Sequence, residues 1–394
     1  MDKTVPSGRV KGTLTPPCSK SYAQRALAAS LLCEETSVLR NIEFCSDTRS
    51  ALQCIETLGA RVTRIGEETL SIEGGLRPQG HTLRVGESGL STRLFTPIAS
   101  LCGTTITIEG EGTLLRRPME MMIGPLRTLG VRVRDNGGFL PFEVRGPIRG
   151  GEVDVDGSVS SQFITGLMLA LPLARHDTTI HVRSAVSTPY LDMTIDTAAR
   201  FGVEICHNDY EEFYIEGGQR YSPACLSIEG DWSAAAMLLV AGAVAGEVTV
   251  RNISMLSKQA DTAVCTALVR AGAAVINEPD SGPAIRSPSA VTNCTRSNST
   301  RRTAPTFSRR SPRSPPTATA LRSSEAHTGS STRRATAPRR SAKNTPRRVS
   351  KWTSRKRTSC ASAAAKSARR AFRATTTTAW PCRWRSRRCA ATGR

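Results

Sequence analysis

Four times in the first 280 residues of this 394-residue chain, apolar residues at helical spacing give way to a glycine and then to a short valine-centred alternation. The copies read LGARVTRI from Leu58, LGVRVRDN from Leu129, FGVEICHN from Phe201 and AGAAVINE from Ala271. Their glycines, Gly59, Gly130, Gly202 and Gly272, stand 71, 72 and 70 residues apart. Before Gly59, Leu52, Ile55 and Leu58 share a helical face behind a capping Asp47. Before Gly130, a helix opening at Pro118 aligns Met119, Met122, Ile123, Leu126 and Leu129. Each glycine then ends its helix in the left-handed conformation that other residues resist. Between the copies the pattern predicts short strands closed by turns, at 71–75 and 214–218, and a second helix per unit, for example over 21–32 and 160–171. Helices and strands alternating at a period of about 71 residues predict an α/β repeat protein.

Charge changes this picture at one place. The formal total is +21, yet residues 281–394 hold 28 Lys/Arg against a single acid, Glu325, whereas residues 1–280 hold 26 bases and 32 acids. A segment of net +27 is thus joined to one of −6. The length allows two or three domains with a real core. The longest run of small apolar residues, 234–246, is too short to span a bilayer, and Met1-Asp2-Lys3-Thr4 lacks the apolar core of a secretory signal. A cytoplasmic protein is expected. The twelve cysteines include no CxxC pair and no metal-ligand spacing, so free thiols, no disulfide and no zinc are expected.

Four segments carry candidate chemistry. In Pro16-Pro17-Cys18-Ser19-Lys20-Ser21-Tyr22-Ala23-Gln24-Arg25, Ser21 and Gln24 have the spacing of a capping box, which puts Lys20 just outside a helix N-terminus and Arg25 in its first turn. Free N–H groups, hydroxyls and two cations there suit an anion. A plain cap with two solvated cations accounts for the same residues equally well. The segment Val85-Gly86-Glu87-Ser88-Gly89-Leu90-Ser91-Thr92-Arg93 has glycines and small hydroxyls that allow close backbone approach to a ligand. A third segment, residues 110–118, sets Arg116 and Arg117 before the helix start at Pro118, where surface charge explains either arginine alone. The fourth joins an alternating strand at Asp154 to a helix that opens with Ser158, Ser160, Ser161 and Gln162. These donors suit a phosphate monoester, and capping accounts for only one serine of the run.

In chain order, PxxSKSxxxR, GESGxSxR, RRPM, DVDGSVSSQF, STPYLDMT and GDWSAAA resemble the 3-phosphoshikimate 1-carboxyvinyltransferases, the EPSP synthase family of the shikimate pathway. The likeness covers about residues 8–280. DGSVSSQF favours this family over the related UDP-N-acetylglucosamine enolpyruvyl transferases, which use a cysteine where Thr113 to Arg117 stand here. The resemblance implies an α/β fold of two lobes, each of three βαβαββ units. Residues 13–229 would form the first lobe, and residues 1–12 with 230–280 the start of the second. It implies transfer of the enolpyruvyl group of phosphoenolpyruvate to the 5-hydroxyl of shikimate 3-phosphate, without metal or organic cofactor, by a monomer with no membrane or specific nucleic-acid partner. Matched motif by motif, Lys20, Ser21 and Arg25 would bind shikimate 3-phosphate, with Lys20 also touching phosphoenolpyruvate. Ser160, Ser161 and Ser187 would hold the 3-phosphate side, Gln162 would lie between both substrates, and Gly89 and Arg117 would contact phosphoenolpyruvate. Arg93 and Tyr190 would support them. Two departures stand out: Cys18 occupies a position where the family usually has a small residue, and Glu87 adds a carboxylate beside an anion site.

Residues 281–394 contain none of the family's remaining motifs as written, and their Arg, Ser, Thr, Pro and Ala cannot build alternating strands or an apolar helix face. A functional basic tail would bind polyanions, with Trp352, Trp380 and Trp384 stacking among arginines. A reading frame slipped by one nucleotide accounts for more. Read one base earlier through suitable synonymous codons, residues 299–311 give FDATDCPDLFPAL, 332–337 give HKESDR and 375–380 give YNDHRM. These resemble the family's C-terminal motifs in order. Residues 348–355 give GVKVDVE, a fifth copy of the glycine–valine repeat. The expected break lies between about Asp280 and Cys294. Catalytic residues then belong to the lost frame and are assigned to no residue here, residues 281–394 fold poorly, and the chain as written is inactive.

Overall fold

Helix stops and strand alternation recur along the whole described chain, residues 8–278 and 282–286 of a computed structural model. After β1 (Val10–Leu14) come α1 (Lys20–Leu32), β2 (Thr36–Arg40), α2 (Ser46–Thr57), β3 (Arg61–Arg64) and β4 (Thr69–Glu73). Then follow β5 (Thr82–Arg84), α3 (Gly89–Ala99), β6 (Thr105–Glu109), α4 (Glu120–Thr128), β7 (Arg132–Asn136) and β8 (Phe139–Arg145). The next set is β9 (Gly151–Asp156), α5 (Gln162–Ala170), β10 (Thr178–Arg183), α6 (Thr188–Arg200), β11 (Cys206–Asn208) and β12 (Glu212–Ile215). Last come β13 (Cys225–Ser227), α7 (Trp232–Ala245), β14 (Gly246–Val250), α8 (Ala263–Arg270), β15 (Ala274–Glu278) and β16 (Gly282–Arg286).

These strands form four sheets of identical topology, ordered β5-β6-β8-β7, β9-β10-β12-β11, β13-β2-β4-β3 and β1-β14-β16-β15. In each, the first pair is parallel and the other two are antiparallel. A parallel pair needs a crossover, which α3 and α5 provide within their own units. The other two sheets exchange first strands along the chain: β13 lies beside β2, and β1 beside β14. The two connecting segments run side by side, with the Ser19 N–H bonded to the Glu229 carbonyl at 2.8 Å, the Asp231 N–H to the Pro17 carbonyl at 2.8 Å, and an antiparallel bridge between Cys18 and Gly230.

Burial follows the same plan. One apolar cluster runs from Cys18 to Ile228, and a second from Trp232 to Ile285. The helices α1, α3 and α5 are buried almost all round, over 23–32, 91–99 and 163–170. Their apolar runs lack a polar stripe for that reason. By contrast α2 buries Thr48, Ala51, Cys54 and Ile55 on one side and faces solvent on the other. The described residues belong to one compact unit, and Thr303–Arg394 lies outside the described residues.

The four repeat glycines adopt the helix-stop conformation, with φ of 120°, 86°, 79° and 88° at Gly59, Gly130, Gly202 and Gly272. Several local expectations shift. The cap of α2 is Cys45, and Asp47 sits in its first turn, where its carboxylate pairs with Lys20 instead of the backbone. Ser21 and Gln24 form no capping box: α1 starts at Lys20 behind Ser19, and Gln24 is turned inward to meet hydroxyls of α3. The helix before Gly130 begins at Glu120, and α5 begins at Gln162. Regular structure also passes residue 280, because β16 pairs with β14 and β15 and buries Pro283 and Ile285 two residues apart. The expectation of poor folding for 287–394 falls outside the described residues.

At Gly59 an added Cβ would stand 2.5 Å from the Arg77 carbonyl oxygen, whereas at Gly130 it would meet the flexible Arg149 side chain at 3.2 Å. Gly130→Ala should therefore cost the left-handed penalty alone, about 1 kcal/mol, and Gly59→Ala roughly 3 kcal/mol because backbone must move as well. Urea unfolding of the two variants checks this, and equal losses would contradict it.

Candidate functional site

The site is built on helix N-termini. The first two turns of α1, α3, α5 and α6 meet through polar side chains. The hydroxyls of Ser88 and Ser91, at the start of α3, donate to Gln24 Oε1 in α1 at 3.4 and 3.0 Å. From α3, Arg93 Nη1 donates to Oε1 of Gln162, the first residue of α5, at 2.9 Å. From α1, Arg25 reaches across to α5 and α6. Its Nε donates to Thr194 Oγ1 at 3.0 Å, and its Nη2 to Thr165 Oγ1 at 3.3 Å and the Tyr190 carbonyl at 3.1 Å. Its Nη1 donates to the Ser21 carbonyl at 2.8 Å. Each N-terminus carries unsatisfied N–H groups and roughly half a positive charge, so their convergence makes a region that favours anions.

The cations add to that field in different ways. Arg25 is fully buried and surrounded by neutral oxygens alone; burial pushes its pKa down to about 10, so it stays charged at neutral pH. A buried cation without a carboxylate partner is a fixed positive charge that an anionic ligand can offset. Four hydrogen bonds engage all but one of its five N–H groups. Arg93 is also buried, and its Nε has no partner. Burial lowers its pKa, and the like charge of Arg117 lowers it further. A Cβ built on Gly89 would lie 3.1 Å from Arg93 Nη1, 3.3 Å from Arg117 Nη1 and 3.8 Å from Gln162 Oε1. Two guanidinium groups and an amide therefore close around the bare Gly89 backbone, with room that a methyl group would take.

The structure thus groups Gly89, Arg93, Arg117 and Gln162 at one corner and Arg25, Ser21 and Tyr190 at another. Ser160 Oγ accepts the Gln162 N–H at 3.2 Å, and Ser161 is the buried N-cap of α5. Ser187 caps α6 in a left-handed conformation, φ 57°, and is exposed. Lys20 is the residue left apart: its ammonium lies 3.2 Å from Asp47 on a side chain 58% exposed, a weakly held pair that a ligand can displace. Glu87 accepts the Thr113 hydroxyl at 3.0 Å and so ties the β5–α3 loop to the 3-10 turn Gly112–Arg116. The sequence assigns Gln24 to a capping box and singles out neither Thr165 nor Thr194. Their signal was a polar residue inside an apolar helical run, as in FITGLM for Thr165.

The EPSP synthase (3-phosphoshikimate 1-carboxyvinyltransferase) sequence profile matches residues 5–301. The chain belongs to the EPSP synthase family. It is 34% identical over 283 residues to the 3-phosphoshikimate 1-carboxyvinyltransferase of Methanocorpusculum labreanum, covering 71% of this chain and 67% of that one. It is 36% identical over 280 residues to the protein of that name from Yersinia pseudotuberculosis, covering 68% and 65%. An EPSP synthase structure from Acinetobacter baumannii superposes with a TM-score of 0.63 at 23% identity, over 72% of this chain and 66% of the other. The chain therefore spans about two thirds of the length of these EPSP synthase relatives. No helix among the described residues is long and apolar enough to cross a membrane, and no cluster of metal-ligating side chains occurs among them. Cys18 is buried at the strand exchange. There its Sγ accepts the Glu43 N–H at 3.2 Å and burial pushes the thiol up to about 11. It is a neutral packing group.

Gly89→Ala is expected to leave the melting temperature within about 2 °C, since alanine suits the first position of a helix, and to weaken binding of inorganic phosphate several-fold. Calorimetric titration with phosphate checks this; unchanged affinity would contradict the crowded corner.

Proposed function

We propose that the described part of the chain is the shikimate 3-phosphate half of an EPSP synthase site, and that the 394-residue form does not complete the reaction. The reaction class is enolpyruvyl transfer. The bond between the enolpyruvyl carbon and the phosphate oxygen of phosphoenolpyruvate breaks, a bond from that carbon to the 5-hydroxyl oxygen of shikimate 3-phosphate forms, and inorganic phosphate leaves. In this reading Ser160, Ser161 and Ser187 receive the 3-phosphate, Lys20, Ser21 and Arg25 hold the rest of shikimate 3-phosphate, and Gln162 stands between the substrates. Gly89, Arg117 and Lys20 meet phosphoenolpyruvate. The observation that carries the reading is the corner where Gly89 lies against Arg93 and Arg117, with Gln162 bonded to Arg93 at 2.9 Å. It offers paired positive charge next to a helix N-terminus, which suits the phosphate of phosphoenolpyruvate as it departs and takes up negative charge. The protein acts as a cytoplasmic monomer in this reading.

Inactivity follows from what the written chain lacks. The family profile matches residues 5–301, and the matched region covers 67% of the Methanocorpusculum labreanum relative. In this reading the break lies between about Asp280 and Cys294, a window that includes β16. Without the lost units, a bound substrate pair has no second lobe to exclude water or to bring a proton acceptor. Phosphate release from shikimate 3-phosphate plus phosphoenolpyruvate tests the proposal. The 394-residue form is expected to give none above background, and a form with the frame restored by one nucleotide between codons 280 and 294 is expected to turn over. Release by the written form, or none by the restored one, would refute it.

A further inference from the structure

Cys18 takes no part in the anion site, yet it stands two residues before Lys20. The strand-exchange segment that carries both runs beside the start of α2, and two contacts fix how the two stretches line up. Cys18 Sγ accepts the Glu43 N–H at 3.2 Å, and Lys20 Nζ lies 3.2 Å from Asp47 Oδ2. Cys45 is midway between Glu43 and Asp47, as Ser19 is midway between Cys18 and Lys20. Because Ser19 is extended, Cys18 and Lys20 turn toward the same side, which is the side of Glu43 to Asp47. The two contacts therefore bracket a second thiol beside the first. Burial raises the Cys18 thiol most, and the charges of Glu43 and Cys45 raise it further, so Cys45 is within electrostatic reach of Cys18. Both thiols are free, Cys18 buried and Cys45 half-buried. Although Cys45 is the N-cap of α2, its sulfur caps no N–H and lies 3.2 Å from the Thr48 hydroxyl.

We infer that Cys18 and Cys45 are a reversible disulfide site, whose closure fastens the strand-exchange segment to the start of α2 and keeps Lys20 on Asp47. The co-reactant is a small disulfide of the glutathione class. The half-buried Cys45 loses its proton and attacks one sulfur of that disulfide; the sulfur–sulfur bond breaks, and one glutathione leaves as the thiol. Cys18 then gives up its proton and attacks the Cys45 sulfur of the mixed disulfide, and the second glutathione leaves as the thiol. Two protein thiols are oxidised and one glutathione disulfide is reduced to two thiols. Cys45 leads because the reagent reaches it, while Cys18, sealed and protonated at rest, reacts once a disulfide sulfur is held beside it. The Lys20–Asp47 pair is exposed and weak, so a ligand can take the ammonium while the two stretches are free to part. A covalent bond two residues from each partner removes that freedom. This consequence rests on the assignment of Lys20 to shikimate 3-phosphate; the bridge itself does not.

The folded 394-residue chain is to be treated with glutathione disulfide, its remaining thiols blocked by alkylation, and its tryptic peptides weighed. The expected product joins Gly12–Lys20 to Asn41–Arg49, each of which holds a single cysteine, and dithiothreitol separates them. Isothermal titration should show the bridged chain binding shikimate 3-phosphate about three-fold more weakly than the reduced chain, with the loss reversed by dithiothreitol. Cys45→Ser, which keeps a hydroxyl at the N-cap, should give neither the joined peptides nor a change of affinity under the same treatment. Absence of the joined pair, or equal yields of Cys18 and Cys45 joined to other cysteines, would overturn the inference. So would a bridged chain that binds shikimate 3-phosphate as tightly as the reduced one. Failure of the reduced chain to bind would refute the substrate assignment instead, and the peptide masses would still decide the bridge.

Discussion

The candidate site depends on three buried helices, of which α3 and α5 pack most closely. The helices α1, α3 and α5 have no solvent face, and α3 and α5 touch backbone to backbone at Gly166. That packing aligns their N-terminal turns, so polar groups that would be unremarkable alone come within hydrogen-bond reach: Gln24 with Ser88 and Ser91, Arg93 with Gln162, Arg25 with Thr165 and Thr194. Apolar burial sets the distances, and the aligned peptide dipoles with two desolvated guanidinium groups set the field. The candidate anion site is a by-product of how the core closes.

The second constraint is the exchange of first strands. Since β13 completes the sheet of β2 and β1 that of β14, neither sheet is finished until distant chain ends meet. The crossing is held firmly. The side-chain amide of buried Gln259 donates to Glu229 Oε1 at 2.7 Å and to the Gly230 carbonyl at 2.9 Å, and its Oε1 accepts the Trp232 N–H at 3.0 Å. This places α7 in a fixed position, with Met237, Val240 and Val244 exposed.

Much of this was legible in the residues. The spacing of Gly59, Gly130, Gly202 and Gly272 carried the repeat because a helix stop needs a positive φ, which leaves a mark in the sequence. The loops at Lys20, Gly89, Arg117 and Gln162 stood out because hydroxyls, glycines and cations cluster there at helix starts, although capping and surface charge account for single residues as well. What stayed hidden was tertiary. Nothing local says that Gln24 turns inward and abandons a capping box, that Arg25 is sealed among neutral oxygens, or that Lys20 rests on Asp47. The exchange of β1 and β13 has no local signal either, since a three-residue strand such as Cys-Leu-Ser reads the same in any sheet. Charge misled most: +21 describes neither part of the chain, and the cations that shape the site are a handful in the segment of net −6.

The central claim is that the substrate half-site is complete within the described residues and independent of whatever follows Arg286. Isothermal titration of the 394-residue protein with shikimate 3-phosphate, at two salt concentrations and with a circular dichroism spectrum to establish folding, tests it most directly. Saturable one-to-one binding that weakens as salt rises is the predicted result, since the ligand is held by oriented donors and buried cations. A folded protein that shows no saturable binding at either salt concentration would contradict the account.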